Sequence, residues 1–301
     1  MTAVPRRPSP SLRALVAGLV DYAGLFPPAS LGMREAVRHY AKYLRTPEAW
    51  MLGRFVVPVG RIEELAATAL SHRLPGAAPW RLSALLGEDL AHDIARLETF
   101  NREHAGHFMV DVVELRAESP ERIRALAVAR LEGAVAYVEL PQADDPRRLL
   151  ETVAGAGLRA KIRTGGVTAA SVPTVAQVAR FLVRCAEVRV PFKATAGLHH
   201  PLRGEYRLTY EQGGPSATMF GFLNVFVAAA LARQGVGEDE LVDLLEERDP
   251  TAIRFLAQGV RWRQREISAE ALAATRASFA VAFGSCSFRE PVDDLHDLEL
   301  L

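Results

Sequence analysis

Lys161 and Lys193 stand inside the segments Leu158–Arg163 and Val190–Thr195, whose other residues read largely as buried strand. A charge in a strand buried on both faces costs several kcal/mol unless it is paired or put to chemical use. Side chains alternate along a strand, so the apolar positions fix where the charged ones point. With Ala160 and Ile162 turned outward, Lys161 and Arg163 point inward. With Val190, Phe192 and Ala194 outward, Lys193 and Thr195 point inward. The same parity turns Tyr137, Glu139 and Arg54 inward, and Glu114 with them. Neighbouring strands lie ~4.8 Å apart, so the two amines fall within several ångströms of each other. Adjacent cations and partial burial both favour a neutral lysine, and a neutral amine attacks a carbonyl to give an imine. Glu114 and Glu139 act in the opposite sense if they pair with the lysines. An ion-pair network that only fills the interior is the alternative, and the sequence leaves both states open.

Three turns beside these cations could together hold an anion. Lys161-Ile-Arg-Thr-Gly-Gly166 ends in a glycine pair, Lys193-Ala-Thr-Ala-Gly197 in one glycine, and Phe283-Gly-Ser-Cys-Ser287 follows a last apolar strand. Glycine lets backbone amides approach a ligand, and hydroxyls add donors. Arg163, Thr164, Gly165, Gly166, Thr195, Ser285 and Cys286 are therefore candidate substrate contacts, with Arg54, Glu114 and His200. His199 and His200 open a long connection, 198–215, of lid length. They could move protons or, with Glu114 and Glu139, hold a divalent metal, although no H-E-x-x-H spacing supports a metal. Cys286 lacks an identifiable base in the sequence, Cys185 falls on the apolar side of a helix, and Asn224 interrupts an apolar helix.

The elements that must position these residues alternate along the chain. Strands are expected at Arg54–Val59, Arg81–Leu86, Phe108–Leu115, Ala134–Leu140, Leu158–Arg163, Val190–Thr195, weakly at Ala252–Leu256, and at Phe279–Phe283. Amphipathic helices lie between most of them, which predicts an α/β fold with a parallel sheet, a (β/α)8 TIM-like barrel occupying 51–301. No G-x-G-x-x-G turn follows the first strand, as an open dinucleotide-binding sheet would require. Residues 1–50 are expected to be an arm and helical extension, with helices near Ser11–Val20 and Leu31–Tyr43. Between them Asp21–Ser30, with its double proline, is expected as a plug closing the barrel or as a donor of Asp21 and Tyr22 to the pocket.

The 301 residues are 49 % hydrophobic and 24 % charged, ordinary for a globular chain. Lysine plus arginine, 36, equals aspartate plus glutamate, 36, so no net field recruits nucleic acid or an anionic membrane. Two cysteines exclude a disulfide scaffold and a cysteine-rich zinc fold. The longest apolar run, Met219–Ala232, is too short to span a bilayer. A cytoplasmic protein is expected, and a homo-oligomer is compatible with a barrel of this size.

Lys161-Ile-Arg-Thr-Gly and Lys193-Ala-Thr-Ala-Gly resemble the paired lysine strands of class I deoxyribose-phosphate-type aldolases, which read Lys-Thr-Ser-Thr-Gly and Lys-Ala-Ser-Gly-Gly. The likeness implies Lys161 as the Schiff-base nucleophile and Lys193 as the residue that lowers its pKa. This chain departs from the pattern at Ile162-Arg163 and at His199-His200. The segments DYAGLFPPA, FKATAGLHHP and FGSCSF together look more like a separate bacterial family. The expected function is aldolase or lyase chemistry on a small phosphorylated or carboxylated carbonyl compound. Lys161 attacks, Lys193 tunes it, and Glu139 or His199 moves protons, with no cofactor. The alternatives are a metal-dependent lyase, isomerase or hydrolase using Glu114, Glu139, His199 and His200, and a non-catalytic anion-binding protein.

Overall fold

Apolar strands flanked by amphipathic helices close on themselves here, and the polarity of the chain decides which end carries chemistry. The computed structural model describes residues 7–142 and 145–301. Part of the proline-rich amino-terminal arm, residues 1–6, lies outside the described residues. The strands are β1 (Val20–Tyr22), β2 (Leu52–Pro58), β3 (Trp80–Leu85), β4 (Phe108–Arg116), β5 (Val135–Glu139), β6 (Arg159–Arg163) and β7 (Phe192–Thr195). A hairpin of β8 (Gly204–Arg207) and β9 (Ser216–Met219) follows. Next comes an antiparallel sheet of β10 (Ile253–Phe255), β11 (Gly259–Trp262) and β12 (Arg265–Ser268), and then β13 (Ala280–Ser285). β1 to β7 and β13 form a closed barrel in which all neighbours run parallel and β13 pairs with both β7 and β1. This is the expected (β/α)8 architecture.

Helices α1 (Pro10–Val16), α2 (Met33–Tyr43), α3 (Ile62–Ala69), α4 (Leu90–Glu103), α5 (Pro120–Val128), α6 (Arg147–Gly155) and α7 (Val175–Glu187) cover the first strands. After the hairpin come α8 (Phe222–Arg233), α9 (Glu238–Glu246), α10 (Ala269–Ser278) and α11 (Arg289–Asp297). Local chemistry starts several of them. Ser119 caps α5 ahead of Pro120, and Thr174 with Gln177 forms a reciprocal capping box on α7. α8 is buried on every side from Phe222 to Ala232, because α7, α9 and α10 all pack against it. Asn224, within α8, donates to the carbonyls of Leu244 and Glu247 and accepts from the Arg203 amide, so it ties loops together. Among the described residues no helix is long and apolar enough to cross a membrane.

Two expectations are corrected. The segment at Ala252–Leu256 supplies β10, which pairs with β11 outside the barrel. The missing barrel strand is instead β1, within the segment read as an extension. The first helix stops at Val16, and Gly18, at φ 57°, turns the chain so that Val20 enters the barrel. Asp21–Ser30 is therefore not a plug at the bottom. It starts as a barrel strand and continues as the loop above it, with Phe26 and Pro27 reaching the cavity at the mouth.

Candidate active site

The carboxyl ends of parallel barrel strands are the end at which loops gather. A cavity of about 280 Å³ opens there, lined by Glu114, Glu139, Lys161, Lys193, Arg163 and His199 together with Thr195, Gly166 and Cys286. Strand register brings the core of this site together. Glu139 stands beside Lys161 across β5 and β6, and Lys161 beside Lys193 across β6 and β7. All three point inward, as parity requires.

The charges form one alternating chain. Asp21 Oδ2 lies 2.6 Å from Lys193 Nζ, which is 2.6 Å from Glu114 Oε1. Glu114 Oε2 lies 2.7 Å from Lys161 Nζ, which is also 2.7 Å from Glu139 Oε2. Arg163 closes the chain at 2.9 Å from Glu139 Oε1. Ser83, from β3, donates its hydroxyl to Glu114 at 2.6 Å. Exposure is 1 % for Lys193, 3 % for Glu114 and 4 % for Lys161, so these ions are screened by one another and hardly by water.

Burial disfavours each ion, but the alternation outweighs it. The Glu114 carboxyl is held well below its ordinary range by Lys161 and Lys193 against desolvation, and Glu139 is lowered by Lys161 and Arg163 in the same way. Desolvation also opposes the Lys193 ammonium, yet Asp21 and Glu114 raise its pKa above the ordinary lysine value. Lys193 therefore does not act on Lys161 as a bare cation, as the aldolase likeness implies. An anion, Glu114, stands between them.

Other expected residues divide between the cavity and its supports. Thr164 is fully buried and donates its hydroxyl to the Ala196 carbonyl at 2.6 Å, so it joins two loops rather than holding a substrate. Gly165 is a packing residue, since a Cβ there would lie 2.8 Å from the Gly197 Cα. Arg54 points inward but in the wrong layer: near the start of β2 it pairs with Asp111 at 2.6 Å, which also receives Arg81. Parity gives the direction of a side chain and not its height in the barrel. Arg163 remains at the mouth, its side chain 42 % exposed, as the group best placed to meet an anion.

His199 and His200 diverge. His199 is buried in the cavity wall with Nδ1 2.9 Å from Glu290 Oε2 and 3.3 Å from Ser285 Oγ. His200 turns away, stacking on Tyr206 with centroids 3.6 Å apart and pairing with Asp294 at 2.6 Å. Of the four residues of the metal-assisted alternative, Glu114 and Glu139 share Lys161 while His199 pairs with Glu290 and His200 with Asp294, and among the described residues no group of three His, Cys, Asp or Glu is placed to hold a metal ion.

Asp21, Ser83 and Glu290 were not assigned roles from the sequence, although Asp21 was a candidate pocket residue. Their signal is weak because Asp21 sits in a three-residue strand, Ser83 is a small residue within an apolar strand, and Glu290 reads as an ordinary acidic residue in the first turn of a helix. The chain matches no family model, no curated protein and no solved structure.

Proposed function

We propose that this protein is a carbon–carbon or related lyase that holds a small carbonyl compound in the mouth cavity and works through an imine on Lys161. One observation carries the reading: Lys161 Nζ lies on the cavity surface between two carboxylates, Glu114 and Glu139. An iminium carries the same single positive charge as the ammonium it replaces, so the surrounding carboxylates stabilise both. Attack needs the neutral amine, and Glu139, at 2.7 Å, is placed to take the proton. The amine adds to the carbonyl carbon, the carbinolamine hydroxyl takes a proton back and leaves as water, and the iminium becomes the electron sink for breaking the adjacent bond.

Lys193 is the lesser nucleophile because Asp21 and Glu114 enclose it and its exposure is only 1 %. Arg163 is the group offered to an anionic substituent. Each cation of the site already has a carboxylate beside it, including His199 with Glu290. That balance favours a carboxylate-bearing carbonyl compound over a phosphate dianion, whose second charge has no unmatched cation to meet.

Borohydride reduction in the presence of keto acids or sugar phosphates tests the proposal. The expected product is a stable adduct on the peptide containing Lys161, strongest with keto acids and absent from Lys161→Met. No adduct with any candidate overturns it. The salt-bridged state of both amines favours a second reading, anion binding without turnover. It predicts ligand-dependent thermal stabilisation with no reducible adduct.

A further inference from the structure

We propose that Cys286, His199 and Glu290 form a second reactive centre in the wall of this cavity, a thiol–imidazole pair that adds reversibly to the carbonyl carbon of a small aldehyde. Cys286 lies in the turn after β13, 5 % exposed, and lines the same cavity as Lys161. Its Sγ is 4.0 Å from both ring nitrogens of His199. Glu290, from α11, orients the ring through Nδ1 at 2.9 Å, which leaves the Nε2 proton available for transfer. Tyr210, from the β8–β9 connection, donates its hydroxyl to Glu290 at 3.0 Å, and its oxygen sits 3.5 Å from Sγ, where it can accept from the thiol. Nucleophile, proton-carrying imidazole and the carboxylate that orients it are thus assembled from three separate parts of the chain.

Burial opposes the imidazolium, but hydrogen bonding to Cys286 and Glu290 pushes His199 up to about 10, so the ring is a cation at neutral pH. Glu290 stays ionised because His199 and Tyr210 outweigh its desolvation. The remaining titratable groups coupled to the thiol are Tyr22 on β1 and Tyr43 on α2, both phenols raised chiefly by burial and therefore neutral. Cys185 provides the contrast. It is fully buried in α7, and desolvation alone raises its thiol pKa.

The addition balances without any oxidant. Cys286 Sγ forms a carbon–sulfur bond as the carbonyl π pair moves to oxygen; that oxygen takes the His199 Nε2 proton, which the thiol proton replaces, to give a thiohemiacetal. Reversal restores aldehyde and thiol. The step does not depend on an imine at Lys161.

Two measurements on the intact protein test it. At about pH 6, where an ordinary thiol is almost wholly protonated, iodoacetamide is expected to alkylate Cys286 about tenfold faster than free cysteine and to leave Cys185 untouched. His199→Gln is expected to abolish the advantage. Isotopically labelled acetaldehyde is expected to give a protein-bound tetrahedral carbon signal, distinct from that of the free aldehyde hydrate, in the wild type that is lost in Cys286→Ser. An imine on Lys161 gives a trigonal carbon instead, so the two readings fail separately. Alkylation no faster than free cysteine, or a protein-bound tetrahedral signal that is absent or persists in Cys286→Ser, overturns the assignment.

Discussion

Lys161 and Lys193 are register partners on adjacent strands, and their amines take opposite oxygens of a single carboxylate, Glu114, at 2.7 and 2.6 Å. What the sequence presents as two repelling cations is a bridged triad, extended by Asp21 on one side and Glu139 on the other. Both lysines line the cavity, Lys193 between Asp21 and Glu114 and Lys161 between Glu114 and Glu139, on the half of the chain that ends at Arg163.

Removing the bridging anion leaves two buried ammonium groups facing each other. Glu114→Gln is expected to lower unfolding free energy by about 3–5 kcal/mol, read from denaturant midpoints at neutral pH. The acid limb gives an independent check. The folded Glu114 carboxyl lies below its ordinary value of 4.5, so its stabilisation is complete above that pH and is lost as pH falls through the folded value. Wild-type stability should decline below about pH 4.5, and the variant should decline less steeply because the contribution of Glu114 is gone.

Gly53 marks where the backbone must approach Asp21. A Cβ at that position would lie 2.3 Å from Asp21 Oδ1, the oxygen that accepts the Arg54 amide at 2.7 Å. Gly53→Ala should therefore displace the carboxylate that holds Lys193. The expected cost is about 1–3 kcal/mol, checked by thermal unfolding. A stability equal to wild type would mean that Asp21 moves without loss.

Much of this site was legible in strand parity. Alternation around Ala160 and Ile162, and around Phe192 and Ala194, placed Lys161, Arg163 and Lys193 in the interior, and Glu139 followed by the same argument. Parity could not show that Arg54 sits a layer too low, or that Thr164 and Gly165 serve loop packing. Those outcomes depend on stagger around the barrel and on which turns touch. β1 was hidden because three residues carry too little periodicity to announce a strand. Its position is settled by pairing with β2 and β13. His199, Cys286 and Glu290 lie far apart in sequence, so only closure of the barrel brings them together.

Arg276 is a buried cation whose partners are carbonyls. Its guanidinium donates to Leu15 and Ala17 at the end of α1 as well as to Ala280 and Val281 at the start of β13, clamping α1 against α10 and the last strand. Burial lowers its pKa to about 10, a sign that the charge is costly to hold. Arg276→Met removes that cost but leaves several buried carbonyls without donors. The second effect should win, with a net loss of about 2 kcal/mol in chemical denaturation. A neutral or stabilising outcome would mean that desolvation of the guanidinium outweighs its hydrogen bonds.

The His199 imidazolium makes an alkaline prediction of opposite sign to that of Glu114. Its folded pKa is raised to about 10 from an ordinary 6.5, burial being outweighed by Cys286 and Glu290. A raised folded value means that the stabilisation is whole below 6.5 and is lost as pH rises through about 10. Wild-type protein should exceed His199→Gln in stability by on the order of a few kcal/mol near neutrality, and the gap should close steadily toward pH 10. Glu290→Gln removes the carboxylate on Nδ1 and should move the closing of that gap to lower pH. Denaturant midpoints across this range decide the matter, and direct observation of the ring resonances fixes which residue titrates. A gap that is constant from neutral to alkaline pH would place the proton elsewhere and leave the cavity wall without its imidazolium.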